Sequence, residues 1–142
     1  MNTLDSLCDY FDTLDAGKLD QLDRHYAADA WFKDPFHEVR GVEAIGAILR
    51  HSFDKLPGAR FRVTRRFPGD EHHAVILWEM DFVMPLTHQP TTISGATHLE
   101  FDTDGKVSRH RDYWDAAEEL YGRLPLLKWL MRALARRAAA KT

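Results

Sequence analysis

His73-Ala74-Val75-Ile76-Leu77-Trp78-Glu79-Met80-Asp81-Phe82-Val83-Met84-Pro85 is the stretch that settles the class of fold. Trp78, Met80, Phe82 and Met84 fall on one face of an extended chain, and Glu79 and Asp81 on the other. A period of two sustained over residues 73–85 predicts one long, half-buried strand. The same period runs on either side. Upstream, Phe61 and Val63 alternate with Arg60, Arg62 and Thr64, and Pro68-Gly69-Asp70 supplies the turn between the two runs. Downstream, a strand over 91–102 puts Ile93, Gly95, Thr97 and Leu99 on one face and His98 and Glu100 on the other. Thr103-Asp104-Gly105 is a hairpin signal. The strand over 106–114 that follows sets His110, Asp112 and Trp114 side by side on one face.

Before residue 60 the period is helical. Leu4, Leu7, Cys8, Phe11 and Leu14 mark one helix, capped by Thr3 and stopped near Gly17. Leu19, Leu22 and Tyr26 mark a second, short one. Residues 29–35 read as a strand, with Phe32 and Asp34 sharing a face. Gly41 opens a helix carrying Val42, Ile45, Ile48, Leu49 and Phe53, which ends at Pro57-Gly58. Asp115 and Glu118 form a capping box for a C-terminal helix. Helices first and a meander of strands afterwards indicate an α+β fold, an antiparallel or mixed sheet packed on helices. The chain reads as one domain over residues 1–124, with a basic amphipathic helix at 125–142 belonging to the same unit. Its 142 residues suffice for a real core.

Charge narrows the function. Residues 121–142 hold Arg123, Lys128, Arg132, Arg136, Arg137 and Lys141 and no acid, a charge of +6; the whole chain is −3, so residues 1–120 carry −9. A body of that sign repels a nucleic-acid backbone, so no nucleic-acid partner is expected. A single cysteine, Cys8, excludes an intramolecular disulfide and a cysteine-based zinc site. The eight histidines show no ligand spacing, and neither a phosphate loop nor a nucleotide fingerprint occurs, so no metal and no cofactor are expected. The acidic start has no signal-peptide pattern, and the expected location is cytoplasmic.

Two segments carry candidate chemistry. In Trp31-Phe32-Lys33-Asp34-Pro35-Phe36 a carboxylate is enclosed by aromatic side chains, and the proline holds it in extended backbone. Such a group is a candidate proton acceptor, and equally a strand-end carboxylate that accepts turn N–H bonds. In His110-Arg111-Asp112-Tyr113-Trp114, His110 and Asp112 are close enough to couple. Either the aspartate orients the imidazole for acid/base work, or the two satisfy each other. Both segments, with Thr97, belong to an otherwise apolar inner face. A closed core would not keep such groups without partners, and a sheet folded over helices leaves a cone-shaped hollow for them.

On these residues the chain resembles the nuclear transport factor 2-like superfamily, in its ketosteroid isomerase and polyketide cyclase (SnoaL-like) branches. The resemblance rests on the helix bearing Tyr10, Leu14-Asp15-Ala16-Gly17, Tyr26-Ala27-Ala28-Asp29-Ala30, Asp34-Pro35-Phe36, Gly41, Phe101-Asp102-Thr103-Asp104-Gly105 and Tyr113-Trp114. It implies a cone-like α+β barrel, usually dimerised through the outer sheet face. It places Asp34 at the isomerases' general base and Tyr10 at the tyrosine of their oxyanion hole. Thr97 stands where their second oxyanion donor would be. His110 and Asp112 replace apolar pocket lining of the isomerases; the cyclases keep an aspartate on this strand, and histidine–aspartate pairs occur in the superfamily's dehydratases.

The expected function is therefore cofactor-free acid/base catalysis on a small apolar carbonyl or polycyclic molecule, by isomerisation, cyclisation or dehydration. Asp34, Tyr10, His110 and Asp112 would be catalytic. Phe32, Phe36, Trp78, Met80, Phe82, Thr97 and Trp114 would line the substrate site. The alternatives are a non-catalytic protein that binds a hydrophobic small molecule in the same hollow, and an interaction module. Over residues 126–137, Leu127, Leu130, Met131 and Leu134 oppose Lys128, Arg132 and Arg136, with Trp129 beside the stripe. Such a helix docks on its own domain or a dimer mate, or rests on an anionic membrane surface.

Overall fold

The computed structural model describes residues 2–142. The chain starts with helix α1 (Thr3–Asp12) and a 3-10 segment (Ala16–Arg24), then strands β1 (Tyr26–Lys33) and β2 (Glu38–Arg40) and helix α2 (Val42–Lys55). The long strands β3 (Arg60–Pro68), β4 (His73–Val83), β5 (Pro90–Phe101) and β6 (Val107–Tyr113) follow. The chain closes with a short helix α3 (Ala116–Glu119), a 3-10 turn (Tyr121–Arg123) and helix α4 (Pro125–Ala138). The α+β class read from the sequence is the class observed.

The six strands form one mixed sheet in the order β2-β1-β6-β5-β4-β3. All neighbours are antiparallel except β1 and β6, which run parallel and align Phe32 with His110. That pairing brings the first strand of the chain beside the last and sets the aromatic Phe32 against the imidazole. On β4 the alternation holds: Ala74, Ile76, Trp78, Met80 and Phe82 are buried, while Val75, Leu77, Glu79 and Asp81 lie toward solvent. Buried side chains of α1, the 3-10 segment and α2 close the core over the inner face of the sheet. On the opposite face Arg62 binds both Glu79 and Asp81, and Arg109 pairs with Glu100 and lies over the Trp31 ring.

Three local readings change. Asn2, rather than Thr3, caps α1, accepting from the Asp5 N–H at 2.8 Å. The second helix is 3-10, and Tyr26 belongs to β1. Strand β2 had no signature, because three residues are too few to show alternation; it folds back on β1 through the Asp34–His37 turn.

Cys8 is fully buried in this core, and burial pushes its thiol up to about 11 from 9.0. The unfolded chain ionises that thiol from about pH 9, whereas the folded chain does not until well above it. The stability it contributes is therefore whole below pH 9 and is lost as pH rises toward 11. Tyr10 and Tyr26, both pushed upward by burial, add to the loss. The urea midpoint should fall between about pH 8 and pH 10.5, and less steeply in Cys8→Ala. A disulfide reagent should leave Cys8 untouched at pH 8 until the chain unfolds; reaction at the rate of a free thiol would contradict this packing.

Candidate functional site

Asp112 is a carboxylate on the inner face of β6, with a side chain only 18% exposed. A largely covered carboxylate needs hydrogen-bond donors, and the neighbouring strands supply them. The Thr97 hydroxyl on β5, directly across the ladder, donates to Asp112 Oδ1 at 2.5 Å. His110, two residues earlier on the same face, places Nε2 at 2.7 Å from the same oxygen. Thr97 in turn accepts from the Trp78 indole N–H at 2.8 Å, and the Tyr26 hydroxyl meets His110 Nδ1 at 2.7 Å.

A carboxylate only accepts, so Nε2 carries a hydrogen, and in the Nε2–H tautomer Nδ1 accepts from the Tyr26 hydroxyl. Burial and the nearby Asp112 charge push the Tyr26 hydroxyl well above its ordinary range, so it remains a donor. From Trp78 through Thr97, and from Tyr26 through His110, every donor points toward Asp112 Oδ1. Bonds aligned this way polarise one another. Oδ2 accepts from no side chain in this network.

Asp112 lines two adjoining hollows. The inner one, about 40 Å³, is bounded by Phe11, Tyr26, Phe32, Trp78, Thr97 and His110 among others. It has room for roughly two to four waters. The outer one, about 370 Å³, opens between α2 and the sheet; Phe36, Met80, Phe82 and Trp114 line it, and Phe32, Trp78 and Asp112 border both. Its size is that of a small-ligand pocket. Phe36 and Trp114 meet edge to face at its rim, with ring centroids 5.6 Å apart.

Asp34 stands at this outer mouth, not in the inner chamber. Its Oδ1 accepts from the Phe36 N–H at 2.8 Å, the His37 N–H at 2.7 Å and the His37 ring at 3.0 Å. The carboxylate thus caps the β1–β2 turn and faces the mouth at once. Tyr10 is elsewhere: its hydroxyl donates to the Lys18 carbonyl at 2.8 Å, its ring stacks on His25, and it borders neither hollow. The hydroxyl near the histidine is that of Tyr26, which no spacing rule could select, because it and His110 are 84 positions apart and meet only through the β1–β6 pairing. Phe61, on β3, borders both hollows.

A separate group, His73, His98 and Glu100, brings its donor atoms within 4.8 Å at one end of the outer face. These are residue types that bind zinc. Here the two rings bond each other at 3.0 Å, and Glu100 also pairs with Arg109. The sequence hid the cluster because His73 is on β4 and the other two are on β5.

A family model described as a SnoaL-like domain matches residues 8–110. Solved structures share the fold at low identity. An NTF2-like protein of unknown function from Exiguobacterium sp. 255-15 is 20% identical, with a TM-score of 0.67 over 80% of this chain and 98% of that one. A putative SnoaL-like polyketide cyclase from Jannaschia sp. CCS1 is 16% identical, TM-score 0.70, over 82% and 87%. An LEH-like epoxide hydrolase of M. tuberculosis is 17% identical, TM-score 0.65, over 94% and 93%. No curated protein matches the chain.

The network depends on Gly95. It faces Trp78 across the β4–β5 ladder, and a Cβ there would overlap the indole ring. Gly95→Ala should displace Trp78, costing about 1–3 kcal/mol. Thr97→Val, which leaves the indole N–H without a partner and removes one donor from Asp112, should cost a similar amount, about 1–3 kcal/mol. Urea denaturation measures both; stability within ~0.5 kcal/mol of the native chain in both variants would contradict the network.

Proposed function

The chain belongs to the SnoaL-like domain family of the nuclear transport factor 2-like superfamily, and from the geometry of its own site we propose that it is an acid/base enzyme that moves protons on a small apolar carbonyl compound. The observation that carries this reading is the asymmetry of Asp112: Oδ1 is held by Thr97 and His110, Oδ2 takes no side-chain hydrogen bond, and the residue lines the outer hollow. A carboxylate fixed this way is oriented for proton transfer and loses little freedom in reaching the transition state.

The ring system of a substrate would lie in the outer hollow against Phe36, Met80, Phe82 and Trp114. The inner chamber is too small for it and would hold water. Asp112 Oδ2 would take a proton from the carbon next to the carbonyl and return it elsewhere on the molecule. His110 has both nitrogens engaged, so it acts as a positioning residue that holds Asp112. Asp34, on the wall of the same hollow, would serve a polar group elsewhere on the substrate, held by its turn contacts. Isomerisation, aldol-type cyclisation and dehydration all begin with such a proton transfer, and relatives described as a putative isomerase and putative polyketide cyclases share the fold.

One observation favours a second reading. Among the described residues, no buried side-chain polar atom lacks a hydrogen-bond partner. A network so closed is also what a hydrophobic-ligand carrier would have.

Proton exchange next to the carbonyl of cyclic ketones and enones, followed by NMR in heavy water, separates the two readings. The native protein should accelerate exchange. Asp112→Asn, which keeps acceptors for Thr97 and His110, should lower it by about 10²–10⁴-fold with the fold intact, and Asp34→Asn by less, about tenfold. Binding of the ketones, seen as a change in tryptophan fluorescence, without exchange would establish the carrier. Undiminished exchange in Asp112→Asn would overturn the assignment of the base.

A further inference from the structure

Helix α4 is the least covered element of the fold. It packs on the preceding 3-10 turn, and none of its side chains is fully buried. Leu127 and Met131 are half-buried, but the apolar arc continues outward past them. Leu126 is 88% exposed and Trp129 72%, with Leu130 and Leu134 also open to solvent. Leu126, Leu130 and Leu134 recur every four residues, so they form one continuous stripe. Lys128, Arg132 and Arg136 recur with the same spacing on the opposite side.

Exposed leucines in such a row, with an exposed tryptophan beside it, are costly in water, and an occupant must explain them. The charge on the segment identifies it. Residues 121–142 carry +6 without an acid. At 14 residues the helix is too short to span a bilayer, and no helix of the described chain is long and apolar enough to do so. A basic helix with a leucine stripe on one side and a tryptophan at the boundary with its basic side lies in the plane of a membrane interface. Its apolar stripe sinks to the acyl boundary, and its long cationic side chains reach back to the headgroups.

We propose that α4 is a docking helix for an anionic lipid bilayer. The −9 body is repelled by that surface, so contact is confined to the cationic end and the molecule is oriented by its own charge asymmetry. The orientation has a consequence for the cavity. Leu120 and Trp114 border the outer hollow, and the chain passes from Leu120 through the Tyr121–Arg123 turn directly into α4. A helix resting on lipid therefore holds the mouth near the interface, where an apolar molecule is concentrated. This delivery rests on the reading of the hollow as a ligand site; the docking itself does not.

The full chain should co-sediment with vesicles of phosphatidylglycerol and phosphatidylcholine at low salt, and at least about tenfold less with pure phosphatidylcholine. High salt should release it. Leu126→Glu with Leu130→Glu should weaken binding about tenfold or more, and so should Arg132→Glu with Arg136→Glu. All four positions are exposed, so the circular dichroism spectrum and urea midpoint should be unchanged. Failure of the native chain to bind anionic vesicles, or equal binding by the variants, would overturn the proposal. So would a native dimer that the leucine variants convert to monomer, because a second copy would then be what covers the stripe. Ketone exchange plays no part in these readouts, so the catalytic proposal and this one fail separately.

Discussion

The structure depends on keeping one carboxylate inside an apolar interior. Unpaired, Asp112 would cost several kcal/mol. Trp78 on β4, Thr97 on β5, His110 on β6 and Tyr26 on β1 all turn polar atoms inward toward it, directly or through one another. Four strands are thus tied at one point, and their register cannot slip without breaking a bond. Gly95 belongs to the same arrangement, because only a residue without a Cβ leaves room for the indole that steadies Thr97. The site is held by the fold, and the site in turn fixes the alignment of the sheet.

The hollows divide the work by size. The inner chamber admits water but no ring, and apart from the network its walls are aromatic and aliphatic side chains such as Phe11, Phe61, Leu14 and Ile76. The outer hollow admits a small molecule and is apolar except at Asp34, His37, Asp112 and the α2 edge. A ligand entering it meets two carboxylates, Asp34 and Asp112. Two carboxylates in the wall of one largely apolar pocket give a bound molecule an orientation.

The sheet was legible because its strands are long. Period-two alternation over β4 and β5 identified the buried face correctly from Trp78 to Met84 and from Ile93 to Leu99. Asp112, His110 and Thr97 were legible as polar residues on that face. What the sequence could not show was contact made by topology. Tyr26 meets His110 only because β1 lies parallel to β6, a pairing that no local pattern encodes. Tyr10 occupies the expected helix, yet a 3-10 segment offers the Lys18 carbonyl and draws its hydroxyl away. Asp34 was readable both as a base and as a turn cap. Strand β2, too short to leave a signature, creates the turn that engages it.

The central claim is that Asp112 is held through His110 in one defined protonation pattern. Long-range nitrogen–proton NMR of the imidazoles tests it most directly. The account predicts that His110 is the Nε2–H tautomer near neutral pH, with a slowly exchanging, downfield Nε2 proton whose shift changes when Asp112 becomes Asn. A proton on Nδ1, or a His110 ring in fast exchange with water, would contradict it.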